Sequence, residues 1–192
     1  MKLTDGLVKS RFTEMFGDVF RDKTRWKKLP FDAVFKDETK RGLKIKSDNY
    51  MESGLYPIID QGKNYVAGYR NQSEGIYDDV PAIVFGDHTR VFKYVDFPFF
   101  LGADGVKILK SRLSEINYVY LYYHLLTADI PNEGYGRHFK WLKKLTIALP
   151  PIELQEKFAE FAGLSDKSKS ELKQSLFELK AVRKRIISEN FD

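Results

Sequence analysis

The sequence contains no cysteine and few histidines. Without cysteine the chain can form neither disulfide bonds nor cysteine-ligated metal sites, which fits the reducing cytoplasm, where we expect the protein to reside. Its three histidines, His88, His124 and His138, lack the spacing of a metal-binding set. We therefore expect no metal site in this chain.

Long apolar runs and nucleotide-binding motifs are also missing. No run of about 18 apolar residues occurs, which argues against a membrane span. The start of the chain, MKLTDGLVKSRF, includes Asp5 and has no apolar core, so it does not predict a signal peptide. The G-x-x-x-x-G-K-[ST] loop of ATP-binding proteins is absent, as is the Asn/Asp-Pro-Pro-Tyr/Phe motif of amino-methyltransferases. Neither ATP use nor methyl transfer is expected of this chain itself.

The positive charge is confined to one part of the sequence. The net charge is +5, yet residues 152–192 hold eight Lys/Arg and eight Asp/Glu, which cancel. Residues 1–151 hold the remaining 24 Lys/Arg and 19 Asp/Glu, together with 24 of the 28 aromatic residues. This division predicts a globular part that contacts a polyanion and a neutral helical part that contacts protein.

The neutral part predicts a long helix. Pro150-Pro151 ends the strand predicted at 145–149, because proline lacks the N–H that strands and helix interiors require. The apolar residues beyond position 170 recur in steps of four, three, three and four, which places them on one narrow, heptad-like helix face that is typical of pairing with another helix. They are Leu172, Leu176, Leu179, Val182 and Ile186. Gly163 and Ser165-Asp166 predict a break or kink.

The remainder predicts an α+β domain with a mixed or antiparallel sheet. Short β-branched and aromatic runs between turn residues predict strands at 56–59, 65–69, 82–85, 91–95, 99–101 and 106–109. Apolar periodicity predicts helices over 7–17 and 114–126. Residues 29–35 fit a short helix or strand, 37–49 a polar loop or edge hairpin, and 131–140 a second polar loop.

The predicted turns carry side chains suited to DNA recognition. Arginine makes paired hydrogen bonds to guanine and Asn or Gln to adenine, whereas cations and hydroxyls contact phosphates. For His88, a structural hydrogen bond to Asp87 or to the backbone is an alternative. The candidate DNA-binding residues are Lys44, Lys46, Gln61, Asn64, Arg70, Asn71, His88, Thr89, Arg90, Arg137, His138 and Lys140, with Gln72 beside Asn71.

Several stretches, in order along the chain, resemble one known family. They are residues 8–17, 56–58 with 68–69, 82–90, 94–99 leading into 102–105, and 137–138 leading to 149–155. In these stretches the sequence resembles the specificity (S) subunit of type I restriction–modification systems. The resemblance implies an N-terminal helix at 1–18 that belongs to a conserved helical region, a target-recognition domain at 19–150 and a conserved spacer helix at 151–192.

The resemblance also implies function and partners. An S subunit recognises double-stranded DNA and is not itself an enzyme. It directs a methyltransferase subunit and a restriction/translocase subunit, which would use S-adenosylmethionine, ATP and Mg²⁺, whereas this chain would need no cofactor. The family's base-contacting residues vary with the target sequence, so the resemblance does not identify them.

This sequence departs from the family pattern, which has two recognition domains and two spacers. It has one of each, so the resemblance implies a half-size subunit that forms a homodimer through an antiparallel coiled coil and recognises one half-site per domain. The alternative is one half of a longer protein. Two other functions stay open: a scaffold or modulator that does not recognise DNA, and a metal-dependent nuclease using the D…ExK pattern of Asp32, Glu38 and Lys40.

Overall fold

The structure, a computed structural model, describes residues 3–22 and 24–191, and the side chains of residues 6–22 and 24–185. Its helices are α1 (Leu3–Phe16), α2 (Phe31–Val34), α3 (Tyr118–Leu126), α4 (Phe139–Leu142) and α5 (Ile152–Phe191). Its strands are β1 (Lys27–Pro30), β2 (Phe35–Asp37), β3 (Lys44–Ile45), β4 (Tyr56–Ile59), β5 (Gly68–Arg70), β6 (Ala82–Gly86), β7 (Phe92–Val95), β8 (Phe100–Gly102), β9 (Val106–Ser111) and β10 (Thr146–Leu149).

These strands form two four-stranded sheets and one two-stranded ribbon. The first sheet is antiparallel, in the order β2-β9-β6-β7. The second, in the order β3-β8-β4-β5, is mixed, because β8 runs parallel to both β3 and β4 while β4 and β5 are antiparallel. The ribbon pairs β1 with β10 and joins the two ends of the region between α1 and α5. The predicted α+β class is confirmed.

An aromatic cluster holds the helices together. Phe12 and Phe16 of α1 are fully buried against Tyr120 of α3 and Phe158 of α5. The rings of Phe12 and Phe158 lie 5.3 Å apart edge to face, and those of Phe16 and Tyr120 lie 4.9 Å apart. Burying each ring contributes about 1.5–3 kcal/mol to the free energy of unfolding, so this cluster fixes the base of α5 on the domain.

A second core lies between the two sheets. Ile59 and Leu101 of the mixed sheet and Val84 and Ile108 of the antiparallel sheet are buried in one cluster. The loops at the strand ends project from this packed core, and they carry most of the candidate DNA-binding residues.

The long helix leaves the domain after its first turns. Gln155, Phe158 and Ala162 are buried, and the Gln155 amide accepts from the Asn117 N–H at 3.0 Å and donates to the Pro150 carbonyl at 2.8 Å. From Leu172 through residue 185 the described side chains are exposed. A helix of 40 residues is about 60 Å long, so much of it extends beyond the domain. Among the described residues, no helix is long and apolar enough to cross a membrane.

Of the predicted break or kink at Gly163 and Ser165-Asp166, the break is wrong, since α5 continues through these residues without interruption, and the kink stays a prediction. A Cβ placed on Gly163 would have no atom within 4 Å, because this side of the helix faces solvent. Glycine there lowers helix propensity by only about 1 kcal/mol, which the flanking turns outweigh.

Other boundaries differ from the prediction for local reasons. Residues 37–49 form neither a plain loop nor a hairpin, because they contain two 3₁₀ turns, Thr39–Arg41 and Ser47–Asn49, and the short parallel strand β3. Helix α3 begins at Tyr118, not 114, because the Asn117 side chain caps it by accepting from the N–H groups of Val119 and Tyr120. The strand predicted at 65–69 begins later in the structure, where β5 covers Gly68–Arg70.

Candidate nucleic-acid interface

Three of the predicted cations line one groove on the mixed sheet, which we call the basic groove. Its volume is about 720 Å³, and it spans from the edge strand β3 to the edge strand β5. Lys44, Lys46 and Arg70 line it together with the amides Asn49 and Gln72, and none of its lining residues is acidic. The groove therefore offers positive charge and amide groups on one surface.

The groove is shaped by side-chain contacts. The Arg70 guanidinium lies over the Phe100 ring at 5.2 Å, an arrangement that holds it by cation–π attraction. Lys44 and Lys46 are exposed on either side of the buried Ile45. The adjacent Asn71 is exposed, but its side-chain oxygen accepts from the Leu55 N–H at 3.1 Å.

The second group of candidates lies where four loops meet, residues 60–64, 87–91, 103–105 and 131–138. We call this region the loop cluster. The side-chain oxygen of Gln61 accepts from the His88 N–H at 3.2 Å, and the Thr89 hydroxyl donates to the Gln61 carbonyl at 2.6 Å. A Cβ on Gly105, whose φ is +68°, would lie 2.6 Å from the Gln61 side chain and 2.7 Å from the His88 ring. Only glycine therefore permits this close approach.

His138 anchors the last of these loops from inside the protein. It is fully buried, and its Nδ1 lies 2.8 Å from the Asp87 carbonyl while its Nε2 accepts from the Glu133 N–H at 3.1 Å. The Asp87 carboxylate accepts from the Phe139 N–H at 2.7 Å. Because both ring nitrogens of His138 are engaged, the structure gives this residue a supporting position beneath the surface.

The remaining candidates on these loops differ in how freely they face solvent. Arg90 has a positive φ of 62°, and its guanidinium donates to the Ile130 carbonyl at 3.0 Å. Arg137 is exposed. Lys140 forms an ion pair with Glu133 at 2.6 Å, which neutralises that carboxylate. Asn64 is exposed at the end of the first loop.

Sequence reasoning missed a buried lysine beneath the first loop. The Lys93 ammonium donates to the carbonyl oxygens of Asp60 and Asn64, at 2.8 and 2.6 Å, and lies 3.3 Å from the Asp60 carboxylate. Burial lowers the pKa of Lys93. Along β7, Lys93 alternates with apolar residues. This pattern weakly predicts a lysine on the solvent-facing side of the strand, whereas the fold buries it. Tyr135, which is 91% exposed on the loop that His138 anchors, was also not predicted from the sequence.

Comparisons with known proteins agree on one family. Residues 24–178 match the family described as the type I restriction modification DNA specificity domain. The chain belongs to this family. The predicted resemblance to type I specificity subunits is thereby confirmed.

One curated specificity subunit is similar to this chain in sequence, and solved S subunits are similar to it in fold. The EcoR124I/EcoR124II specificity subunit of Escherichia coli is 28% identical over 132 residues, which cover 64% of this chain and 32% of that protein. The S subunit of M. genitalium superposes with a TM-score of 0.70 at 17% identity, covering 97% of this chain and 53% of that one. The HsdS subunit of Thermoanaerobacter tengcongensis gives 0.55 at 17% identity, covering 99% and 51%. The chain thus spans about half the length of these solved relatives.

Glu38, a carboxylate on which the nuclease hypothesis depends, is already engaged by other side chains. Glu38 is buried, and its carboxylate binds Lys36 at 2.5 Å, Arg41 at 2.8 Å and the Tyr77 hydroxyl at 2.7 Å. Burial raises the pKa of Glu38, but the hydrogen bonds from Lys36 and Tyr77 and the charge of Arg41 outweigh burial and hold the pKa below its ordinary value. Asp32 and Lys40 are exposed on α2 and on the following 3₁₀ turn. The network stabilises the edge of the antiparallel sheet.

Proposed function

We propose that this chain is the DNA-recognising part of a type I restriction–modification complex, with one half-site per recognition domain and no catalytic activity of its own. Its membership of the DNA specificity family supports this role. The observation that carries the proposal is the basic groove, where Lys44, Lys46 and Arg70 share a lining that includes no carboxylate. Cations on such a surface suit phosphate contacts, and the amides beside them suit adenine.

The loop cluster would supply further base contacts. Its loops are fixed by hydrogen bonds between distant parts of the chain, so that Arg137, Asn64 and Thr89 are presented from rigid supports. Rigid presentation lowers the entropy cost of binding, which favours discrimination between similar sequences. His138 would act by holding this surface in shape.

The proposed partners carry the chemistry. A methyltransferase subunit would use S-adenosylmethionine, and a restriction/translocase subunit would use ATP and Mg²⁺, in a complex located in the cytoplasm. One solved relative, superposing with a TM-score of 0.60, comes from work on complex assembly and conformational transition of the type I system. The reacting groups and cofactors would lie in those subunits, and this chain would position them on DNA.

The exposed part of α5 supports pairing of two copies. Leu172, Leu176, Leu179 and Val182 are between 49% and 66% exposed, and they lie on one face of the helix. The side chain of Ile186 lies outside the described residues. An apolar stripe of this spacing is buried when a second helix packs on it. Two copies joined antiparallel would place two recognition domains at a separation set by the helices.

Methylation mapping tests the proposed function. Cells expressing this chain with its methyltransferase should show adenine methylation at one bipartite, near-palindromic sequence. Replacing residues 19–150 with the corresponding region of another specificity subunit should change that sequence and leave the subunits co-purifying. An unchanged methylated sequence after the swap would place sequence recognition outside residues 19–150, and loss of co-purification would place the methyltransferase contact within them. Methylation without sequence preference would favour a scaffold.

Salt dependence tests the groove directly. Three variants each remove one cation: Lys44→Gln, Lys46→Gln and Arg70→Gln. The slope of log K for DNA binding against log salt is negative, and each variant should make it less steep by about 0.9 if the lost cation neutralises a phosphate. Lys157→Gln, on α5 outside the groove, is the matched control. Slopes that stay unchanged in all three groove variants would exclude this surface as the phosphate contact.

A further inference from the structure

An exposed aromatic residue marks the tip of the loop cluster. Tyr135 is 91% exposed, more than any other large hydrophobic side chain among the described residues. Single exposed aromatic residues are common on protein surfaces, so the contacts around Tyr135 decide whether it marks a site. Tyr135 lies between Gly134, whose φ is +63°, and Gly136, in the loop that leads to Arg137.

The surrounding residues hold this tyrosine in place. The His88 ring stacks on the Tyr135 ring, with centroids 5.1 Å apart and planes inclined by 21°. Its Nδ1 lies 3.2 Å from the carbonyl oxygens of both Tyr135 and Gly136, and since both are acceptors, Nδ1 must donate. The histidine thus holds the loop at Tyr135 while contacting only a small part of the ring, which stays exposed to solvent.

The loop is also fixed at its base. Glu133 donates its N–H to the buried His138 and binds Lys140 through its carboxylate, so the acidic residue nearest in sequence to the tip is neutralised. Arg137 stands exposed two residues beyond Tyr135. A preorganised aromatic ring beside an exposed cation is a combination that suits duplex DNA, because thymine presents an apolar methyl group in the major groove and every nucleotide carries a phosphate.

The geometry points to Tyr135 as a direct DNA contact, whose exposed ring packs on the methyl group of a thymine in the major groove while His88 holds the loop in place. This inference rests on the proposed DNA-recognition function and adds a contact that depends on the aromatic ring and carries no charge. Such a contact stabilises the complex independently of salt, and it anchors the loop cluster next to the phosphate that Arg137 would bind.

The test measures binding of the full chain, in complex with its methyltransferase, to a duplex carrying the sequence methylated in cells. Tyr135→Ala should weaken binding about tenfold with no change in the salt slope, because it removes an apolar contact and no charge. Tyr135→Phe should bind like the natural protein. Arg137→Ala should make the negative slope of log K against log salt less steep by about one. Leu55→Ala, which alters another exposed apolar side chain (74% exposed), should have no effect on binding.

The outcomes separate this inference from the function on which it rests. Equal affinities of Tyr135→Ala and the natural protein would overturn the Tyr135 contact and leave DNA recognition standing. A natural complex that prefers no sequence would overturn both. A Tyr135→Ala variant that loses the methyltransferase on purification but keeps its DNA affinity would show that the tip contacts protein instead. Unchanged thermal unfolding of the variant serves as the folding control, because the ring is almost wholly exposed.

Discussion

His124 shows how a single residue ties the stability of this protein to pH. It is fully buried, its ring packs edge to face on Phe20, and its Nε2 accepts from the Ala148 N–H at 3.0 Å. Burial, assisted by the charge of Lys28, lowers the pKa of His124 from 6.5 to about 3. The folded protein therefore holds this ring neutral, whereas the unfolded chain would protonate it near its ordinary pKa.

This pKa difference predicts a loss of stability in acid. Because the folded-state pKa is depressed, the stabilisation is complete above pH 6.5 and is lost as the pH falls from 6.5 towards 3, with a slope of up to about 1.4 kcal/mol per pH unit. In His124→Gln the side-chain amide oxygen can still accept from the Ala148 N–H, but glutamine does not titrate. The free energy of unfolding of this variant should therefore lack the pH dependence that His124 contributes. Urea unfolding of both proteins between pH 7 and 4 measures the difference. Parallel stability curves would contradict a neutral buried histidine.

Residue types in the turns allowed the DNA-binding candidates to be predicted, but their depth in the fold could not be. His138 stands among polar loop residues in the sequence, and its burial depends on the Asp87 carbonyl, 51 positions earlier in the chain. Tyr135 escaped prediction because nothing local indicates that His88 supports its ring. The predicted roles of the individual contact residues stay predictions.

Among the elements, α5 offers a direct measurement of helix propensity. Gly163 lies inside the helix, and a methyl group there would have no atom within 4 Å. Gly163→Ala should therefore raise the free energy of unfolding by up to about 1 kcal/mol and slow hydrogen exchange of the surrounding amides. Gly105→Ala is the contrasting variant, since its positive φ and its contact with Gln61 should make it destabilising. Faster exchange in Gly163→Ala would contradict an uninterrupted helix.

Local patterns predicted most elements, and the errors arose where distant partners decide. Strands β6 and β9 are rich in β-branched residues and lie at the centre of their sheet, so their sequences carry a strong signal. β3 has only two residues, and it exists because β8 pairs with it in parallel, which no local pattern indicates. The helix break was predicted from propensity alone, although tertiary packing of Phe158 and Ala162 fixes the helix just before Gly163.

For the molecule as a whole, the division of charge matches the division of structure. The charge excess resides in residues 1–151, which form the sheets, the basic groove and the loop cluster. The neutral remainder is α5, whose outer part projects with its apolar side chains exposed to water. Exposure of four aliphatic residues on one face costs solubility unless another surface covers them. A second α5 meets that requirement with the same spacing.

Pairing through α5 predicts a defined effect of charge on this stripe. Leu172→Glu combined with Leu179→Glu should convert a dimer into a monomer in analytical ultracentrifugation, because two buried carboxylates would face an apolar partner. Glutamate is a good helix former, so the helix itself should persist. Phe177→Glu is the matched control, since Phe177 is 75% exposed on a different face of the same helix. A natural protein that sediments as a monomer at every concentration would rule out the pairing, and a Phe177→Glu monomer would place the contact on the other face.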